Sequence, residues 1–202
     1  MLTIQEIRAA LDRASHQAAA FTPDARHCAV AMILAPGERE LEACFIRRAE
    51  RHGDPWSGQV AFPGGRADAT DASASAVAER ETHEEVGLRL HTTQRIGALP
   101  THAIRSNMTL SPFIYYLAPR ADQPSPQQIA SPRETHEVAS VFWVPLSHLF
   151  DTRSTTTLDY PPGELATSFP GIGYGEHVIW GLTLRVLETF AELVERRLPA
   201  LA

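Results

Sequence analysis

The sequence predicts an α/β (α+β) fold in which a mixed β-sheet lies between helices. Apolar, β-branched runs of strand length alternate with segments that have helical periodicity and helix caps. Short hairpin turns and longer crossovers both occur, so the sheet should contain antiparallel and parallel pairs. The chain has 202 residues, which one buried core can organise, and we expect a single domain over residues 1–202.

The composition excludes several classes of protein. Of the residues, 44% are hydrophobic and 21% are charged, and the net charge is −6; this mild acidity argues against a nucleic-acid surface. No apolar run approaches the ~20 residues that cross a bilayer, and the first residues lack a secretion pattern. We therefore expect a cytoplasmic protein without a membrane partner. Cys28 and Cys44 are either paired or, as we expect in the cytoplasm, two buried thiols.

The first elements follow from capping and alternation. Thr3 with Glu6 three residues later forms a capping-box pattern that opens a helix over residues 3–20. Three strands are then predicted, at residues 27–35, 41–48 and 58–62, with a turn at 36–39 and a loop at 49–56.

The next helix is predicted over residues 72–86, with Asp71 as N-cap and Gly87 as the C′ residue that ends it. A small, apolar face recurs at steps of four residues; it consists of Ala74, Ala78, Thr82 and Val86. The helix should pack through this face and present its carboxylates on another.

The second half predicts three more strands and one long helix. The strands lie near residues 95–99, 109–118 and 138–144, with a surface loop at 119–134. A short helix is expected at 145–150, and the Gly- and Pro-rich segment 151–175 is either a mobile lid or coil. The C-terminal helix is predicted over residues 179–198, from apolar residues at helical spacing. They are Leu182, Val186, Phe190, Leu193 and Val194.

Three carboxylates occupy five residues of the central helix: Glu81, Glu84 and Glu85. Glu81 and Glu85 project from one face, where like charges oppose helix formation. A cation that accepts oxygen ligands, such as magnesium, would compensate them. Taken alone, three glutamates indicate a solvated face; the Gly-Gly, Arg and Gly-Leu around them favour a site.

Residues 65–88 resemble the Nudix box. The matching residues are Gly65, Asp71, Arg80, Glu81, Glu84, Glu85, Gly87 and Leu88. Asp71 stands where the family has Glu, and one extra residue separates it from Arg80. The coenzyme A pyrophosphatase branch has similar segments at 57–65, 137–146 and 179–183. This chain lacks the inner Arg of that branch's upstream signature and has its own insertion at 54–57, where Trp56 either packs under the loop or stacks on a base.

The resemblance implies a Nudix-type α/β/α sandwich and metal-dependent hydrolysis of a nucleoside diphosphate-linked small molecule, such as coenzyme A or a related nucleotide. It implies Mg²⁺ or Mn²⁺ as the cofactor. Whether the protein forms a homodimer is left open. The implied metal ligands are Glu81, Glu85 and Glu84; the implied catalytic residues are Glu84, Arg80 and Glu137, with Glu134 as an alternative to Glu137. The implied substrate-binding residues are Arg47, Arg48, Gly64 and Gly65.

Two other functions of such a fold remain open at this point. An isomerase acting on isopentenyl diphosphate would need a reactive Cys, and Cys28 and Cys44 both lie in strand-like segments. A non-catalytic nucleotide-sensing or protein-binding module would tend to lose the box carboxylates, which this chain keeps.

Overall fold

A mixed β-sheet with helices packed on both faces confirms the predicted fold class. The computed structural model describes residues 1–14, 21–53, 56–104, 107–133, 136–160 and 167–199. Within these ranges eight strands form the main sheet and three form a second, antiparallel sheet. The main sheet consists of β1 (His27–Pro36), β2 (Leu41–Arg48), β3 (Val60–Ala61), β4 (Gly64–Arg66), β5 (Arg95–Ala98), β6 (His102–Ile104), β7 (Met108–Tyr116) and β8 (Val138–Pro145).

The small sheet consists of β9 (Thr155–Tyr160), β10 (Thr167–Tyr174) and β11 (His177–Trp180). The helices are α1 (Ile4–Arg13), α2 (Ala74–Val86), α3 (Pro126–Ile129), α4 (Leu146–Leu149) and α5 (Gly181–Leu193). None of the helices in the described ranges has the length and hydrophobicity that a membrane span requires.

Strand β1 lies between the two hydrophobic cores. It pairs antiparallel with β2 and parallel with β7. Met32 and Leu34 point into the core that contains α1 and α5, whereas Ala31 and Ile33 point into the core that contains α2. Because both faces of β1 are covered, the strand is apolar at nearly every position and not only at alternate ones.

Helix α1 has the predicted capping box. The Thr3 hydroxyl accepts from the Glu6 N–H, and the Glu6 carboxylate accepts from the Thr3 N–H at 2.7 Å. The helix ends at Arg13, earlier than the predicted residue 20; residues 15–20 lie outside the described ranges.

Helix α2 begins two residues later than predicted, and Asp71 is not its N-cap. Ser73 caps the helix, because its hydroxyl accepts from the Ala76 N–H at 3.1 Å. Asp71 is buried and binds Arg80 instead. Gly87 ends the helix in the left-handed conformation, with φ of 76°, as predicted. The predicted small face is buried against the sheet.

The segment 151–175, predicted as lid or coil, forms strands β9 and β10 where it is described. The C-terminal helix starts at Gly181 and ends at Leu193. The predicted start at 179 was wrong because Ile179 and Trp180 pair with β10 as the end of β11. The elements that were not predicted also include β4, β6 and the short α3 inside the predicted loop 119–134, as well as two 3-10 turns at Thr92–Gln94 and Thr152–Ser154. Cys28 and Cys44 are free thiols.

Candidate active site

A cleft of about 400 Å³ opens where β4, the start of α5 and the loop after β2 meet. Six of the residues singled out in the sequence line this cleft: Arg48, Gly64, Gly65, Glu81, Glu85 and Glu137. They come from four different segments of the chain. The cleft wall also contains apolar side chains such as Val30 and Leu182. The structure therefore joins a carboxylate cluster, arginine side chains and an apolar wall in one cavity.

Glu85 is almost completely buried, with 2% of its surface exposed. Its Oε2 accepts a hydrogen bond from the Gly64 N–H at 2.8 Å. Burial, together with the nearby Glu81 and Glu137, raises the pKa of Glu85 to about 8 against the opposing effects of the Gly64 N–H and Arg48. Such a buried carboxylate is costly to ionise unless a cation approaches it.

Glu81 lies one helical turn before Glu85, next to Gly65. Burial raises the pKa of the Glu81 carboxyl, and Arg80 opposes this rise through a hydrogen bond from Nη1 to Oε1 at 3.0 Å. A Cβ built on Gly65 would meet the Glu81 carboxylate. The glycine thus leaves the space that the carboxylate occupies.

Gly64 and Gly65 are required for different reasons, so their alanine variants should differ in stability and in turnover. Gly64 has φ of 148°, and a Cβ there would meet the backbone of Ala29 and Val30. Gly64→Ala is expected to lower the free energy of unfolding by roughly 1–3 kcal/mol. A Cβ at Gly65 meets the end of a flexible side chain, so Gly65→Ala should displace the Glu81 carboxylate with a smaller change in stability. The diphosphate turnover that the family resemblance implies should then fall more than tenfold. Denaturant unfolding and turnover of both variants test this; equal effects on stability would contradict it.

Arg80 connects the carboxylates behind the cleft. Its Nε and Nη2 donate to both oxygens of Asp71 at 3.1 and 2.9 Å, and its Nη1 donates to Glu81 and Glu84 at 3.0 Å. Its Nη2 also donates to the Arg66 carbonyl at 3.0 Å. These bonds lower the pKa of Asp71 and raise that of Arg80. Arg80 therefore contacts the Asp71, Glu81 and Glu84 carboxylates at once; a role for it in catalysis stays a prediction.

Glu84 is not among the residues that line the cleft. Its side chain is 50% exposed and pairs with Arg80 at 3.0 Å. The structure brings Glu81 and Glu85 together but leaves Glu84 on a neighbouring face of α2, since consecutive helical residues are turned by about 100 degrees. Metal binding or catalysis by Glu84 stays a prediction.

Glu137 reaches the cleft from the start of β8. Its carbonyl accepts from the Ala49 N–H at 2.8 Å, and its Oε1 lies 3.4 Å from Arg51 Nη1. It also faces Glu81 and Glu85 closely enough to raise the pKa of both. Glu134, the alternative acid, lies outside the described residues.

Arg47 and Arg48 lie in different cavities. Arg48 lines the cleft, whereas Arg47 lines a second pocket of about 220 Å³ with His177 and Trp180 and pairs with Glu50 at 3.0 Å. The two side chains are separated because successive side chains of a strand point to opposite faces; substrate binding by Arg47 and Arg48 stays a prediction.

Two arginines in the cleft were missed in the sequence: Arg51 and Arg66. Arg66 directly follows Gly65 in the sequence, whereas Arg51 belongs to the loop after β2. The position of Arg66 became evident only from the pairing of β4 with β1, which places it opposite Cys28.

The carboxylates fit a divalent cation in their chemistry. No group of three or more His, Cys, Asp or Glu side chains in the described part of the chain is arranged to hold a metal ion as it stands. The cleft nevertheless gathers hard oxygen donors, the ligands that Mg²⁺ and Mn²⁺ prefer. Glu85 in addition carries a pKa raised by burial and by Glu81 and Glu137, which a cation would reverse.

Comparisons with known proteins bear on the family of this chain. A family model described as "NUDIX domain" matches residues 25–162. The chain is 29% identical over 161 residues to "Uncharacterized Nudix hydrolase NudL" of Enterobacter sp. (strain 638), covering 80% of each chain. It is 33% identical over 139 residues to the NudL of Photorhabdus laumondii, covering 69% of this chain and 70% of that one.

The fold is also similar to a solved structure. The crystal structure of a MutT/nudix family protein from Enterococcus faecalis superposes with a TM-score of 0.57 at 14% identity, covering 99% of this chain and 78% of that one. At this identity the similarity bears on the fold alone.

Proposed function

This chain belongs to the Nudix hydrolase family, and we propose that it hydrolyses a phosphoanhydride bond in a nucleoside diphosphate-linked substrate with Mg²⁺ or Mn²⁺. Nudix hydrolases generally use divalent metal ions. The observation that carries the proposal is the meeting of Glu81, Glu85 and Glu137 with the arginines of one cleft. A carboxylate cluster alone would repel a diphosphate, and arginines alone would bind it without activating water.

Glu81 and Glu85 would hold the cation, with Glu84 as a further ligand from the rim of the cleft. When bound, the cation neutralises the diphosphate oxygens and lowers the pKa of a coordinated water. Arg48, Arg51 and Arg66 would bind the diphosphate oxygens by charge-assisted hydrogen bonds.

Gly65 lets the backbone of β4 approach the Glu81 carboxylate without a Cβ in the way, whereas Gly64 lets β4 lie against the backbone of β1. Glu137 is the proposed general base. Its Oε1 pairs with Arg51, and its Oε2 would accept the proton of the attacking water. Arg80 acts from behind by fixing the Glu81 carboxylate.

Within this class we propose coenzyme A or a related nucleotide as the substrate. The support is the resemblance of residues 57–65, 137–146 and 179–183 to the coenzyme A pyrophosphatase branch. Those segments contribute Phe62, Glu137, Leu182 and Thr183 to the cleft wall. The buried hydroxyl of Thr183 donates to the Val60 carbonyl at 2.8 Å and so ties α5 to the edge of the main sheet.

Product release from a panel of diphosphates tests the function. The panel contains coenzyme A, nucleotide sugars, dinucleoside polyphosphates and NADH, each with Mg²⁺, with Mn²⁺ and with a chelator. We expect turnover of at least one of them, abolished by the chelator. Binding of nucleotides without any turnover would favour the alternative, a non-catalytic nucleotide-sensing or protein-binding module on this scaffold.

A further inference from the structure

Trp56 and Arg66 form a paired surface in the wall of the cleft. The Arg66 Cζ lies 5.7 Å from the centre of the Trp56 ring, within the range of a cation–π contact. Trp56 is half-buried and Arg66 is exposed. The pair adds a planar aromatic surface and a cation to the cavity that holds the carboxylates.

The loop that carries Trp56 is held in place by its own hydrogen bonds. The Ser57 hydroxyl accepts from the Arg51 N–H at 2.8 Å, and the Trp56 carbonyl accepts from the Gln59 N–H at 3.2 Å. The Gln59 carbonyl in turn accepts from the Arg48 N–H at 2.9 Å, which joins the loop to the end of β2. These bonds position the backbone at Trp56 beside the cleft, so less backbone freedom is lost when a ligand stacks on the ring.

Arg66 connects this surface with the carboxylate network. Its carbonyl accepts from Arg80 Nη2 at 3.0 Å, while its side chain lies against the Trp56 ring. The backbone of Arg66 is thus tied to the residue that positions Glu81, and its guanidinium faces the aromatic ring. Along the cleft wall, the aromatic ring of Trp56 is followed by the Arg66 cation and then by the carboxylates. A ligand with a planar ring next to a phosphate group matches this order.

We propose that Trp56, with Arg66 against its ring, recognises the nucleobase of the substrate by stacking. The inference rests on the proposed function, since it assigns the base of the same nucleoside diphosphate to one end of the same cleft. Aromatic side chains and arginine planes stack on nucleobases irrespective of base identity. A ligand with only a flexible aliphatic chain offers no such planar face. The Trp56–Arg66 pair therefore selects nucleoside diphosphates over diphosphates that lack a ring.

Binding of nucleoside monophosphates without divalent metal tests the stacking separately from hydrolysis. AMP, GMP, CMP and UMP are titrated by calorimetry in a chelator, with ribose 5-phosphate as the matched ligand that lacks only the base. We expect at least one nucleotide to bind about tenfold more tightly than ribose 5-phosphate. Trp56→Ala should remove this difference, and Trp56→Phe should keep most of it.

A second tryptophan provides the matched control. Trp180 lies in the neighbouring pocket, which shares Val60 with the cleft. Trp180→Phe should keep the preference for the base. The chain has three tryptophans, so a variant with Trp143 and Trp180 both replaced by Phe reports on Trp56 alone; nucleotides, but not ribose 5-phosphate, should quench its fluorescence.

The proposal fails if ribose 5-phosphate binds the wild type as tightly as every nucleotide. It also fails if folded Trp56→Ala keeps the preference, or if Trp180→Phe loses it, which would place the base in the neighbouring pocket. If Trp56→Ala does not fold, the absence of base-dependent quenching in the Trp56-only variant overturns the proposal. If the protein turns over diphosphates with metal but shows no preference for ligands with a base, the stacking proposal fails and the hydrolase proposal stands. If it prefers ligands with a base but turns over no diphosphate, the hydrolase proposal fails and the stacking proposal stands.

Discussion

Glu85→Gln is expected to lower diphosphate turnover roughly a thousandfold or more while the protein stays folded. Glutamine has nearly the same shape, and its side-chain oxygen still accepts the Gly64 N–H that now donates to Glu85 Oε2 at 2.8 Å. The variant loses only the charge that we propose binds the cation. Steady-state turnover with saturating Mg²⁺ measures the effect, and circular dichroism measures the fold.

The same variant should change how stability depends on pH. Burial raises the pKa of Glu85 from 4.5 to about 8, so between these values the folded protein keeps a proton that the unfolded chain has released. The free energy of unfolding of metal-free wild type should therefore fall as the pH rises through this range. The change is on the order of a few kcal/mol, and Glu85→Gln should lack it. Urea unfolding of the wild type and of Glu85→Gln at several pH values, in the presence of a chelator, measures this pH dependence in each protein.

Glu79→Gln is the matched control on the same helix. Glu79 accepts a hydrogen bond from the buried Tyr115 hydroxyl at 3.0 Å and is not among the residues lining the cleft. Its glutamine variant should turn over diphosphates normally. Normal turnover by Glu85→Gln would refute the assignment of this carboxylate to the cation.

Arg80→Met is expected to lower the free energy of unfolding by about 3 kcal/mol. Arg80 donates two hydrogen bonds to Asp71, whose side chain is only 5% exposed. Removing the guanidinium leaves a buried carboxylate without the partner that keeps its pKa low. Denaturant unfolding measures the loss, and the double variant with Asp71→Asn should recover part of it because the uncompensated charge is gone.

A second arginine–aspartate pair in the chain separates burial from pairing. Arg153 also binds Asp151 through two nitrogens, but its side chain is 89% exposed. Arg153→Met should leave the free energy of unfolding nearly unchanged, because exposed ion pairs contribute little. If Arg80→Met and Arg153→Met lowered the free energy of unfolding by similar amounts, burial of the Arg80 network would not be the source of its stabilisation.

Several elements could be predicted because their signals are local. The capping box of Thr3 and Glu6 and the left-handed Gly87 each depend on residues within one helical turn. Asp71 shows the limit of such reasoning. As a helix cap it was a sound local prediction, yet Arg80, nine residues away, binds its carboxylate and Ser73 caps the helix instead.

The small sheet was missed for a related reason. About half of the residues in β9 and β10 are exposed, and the two strands are rich in Thr, Gly and Pro. Their sequences therefore lack the apolar–polar alternation by which a strand is identified. Their pairing depends on partners in the folded chain. The pocket that contains Arg47, His177 and Trp180 exists only because that sheet forms.

The sequence by itself determined the fold class, the carboxylate helix and the resemblance to a hydrolase family, because hydrophobic periodicity and residue spacing are properties of the chain alone. Tertiary structure decided which of those residues act together. It buried Glu85 and left Glu84 exposed, separated Arg47 from Arg48, and brought Arg51, Arg66 and Trp56 to the carboxylates. Burial, and the pKa and charge balance that follow from it, depend on neighbours that are distant in sequence, which no local pattern encodes.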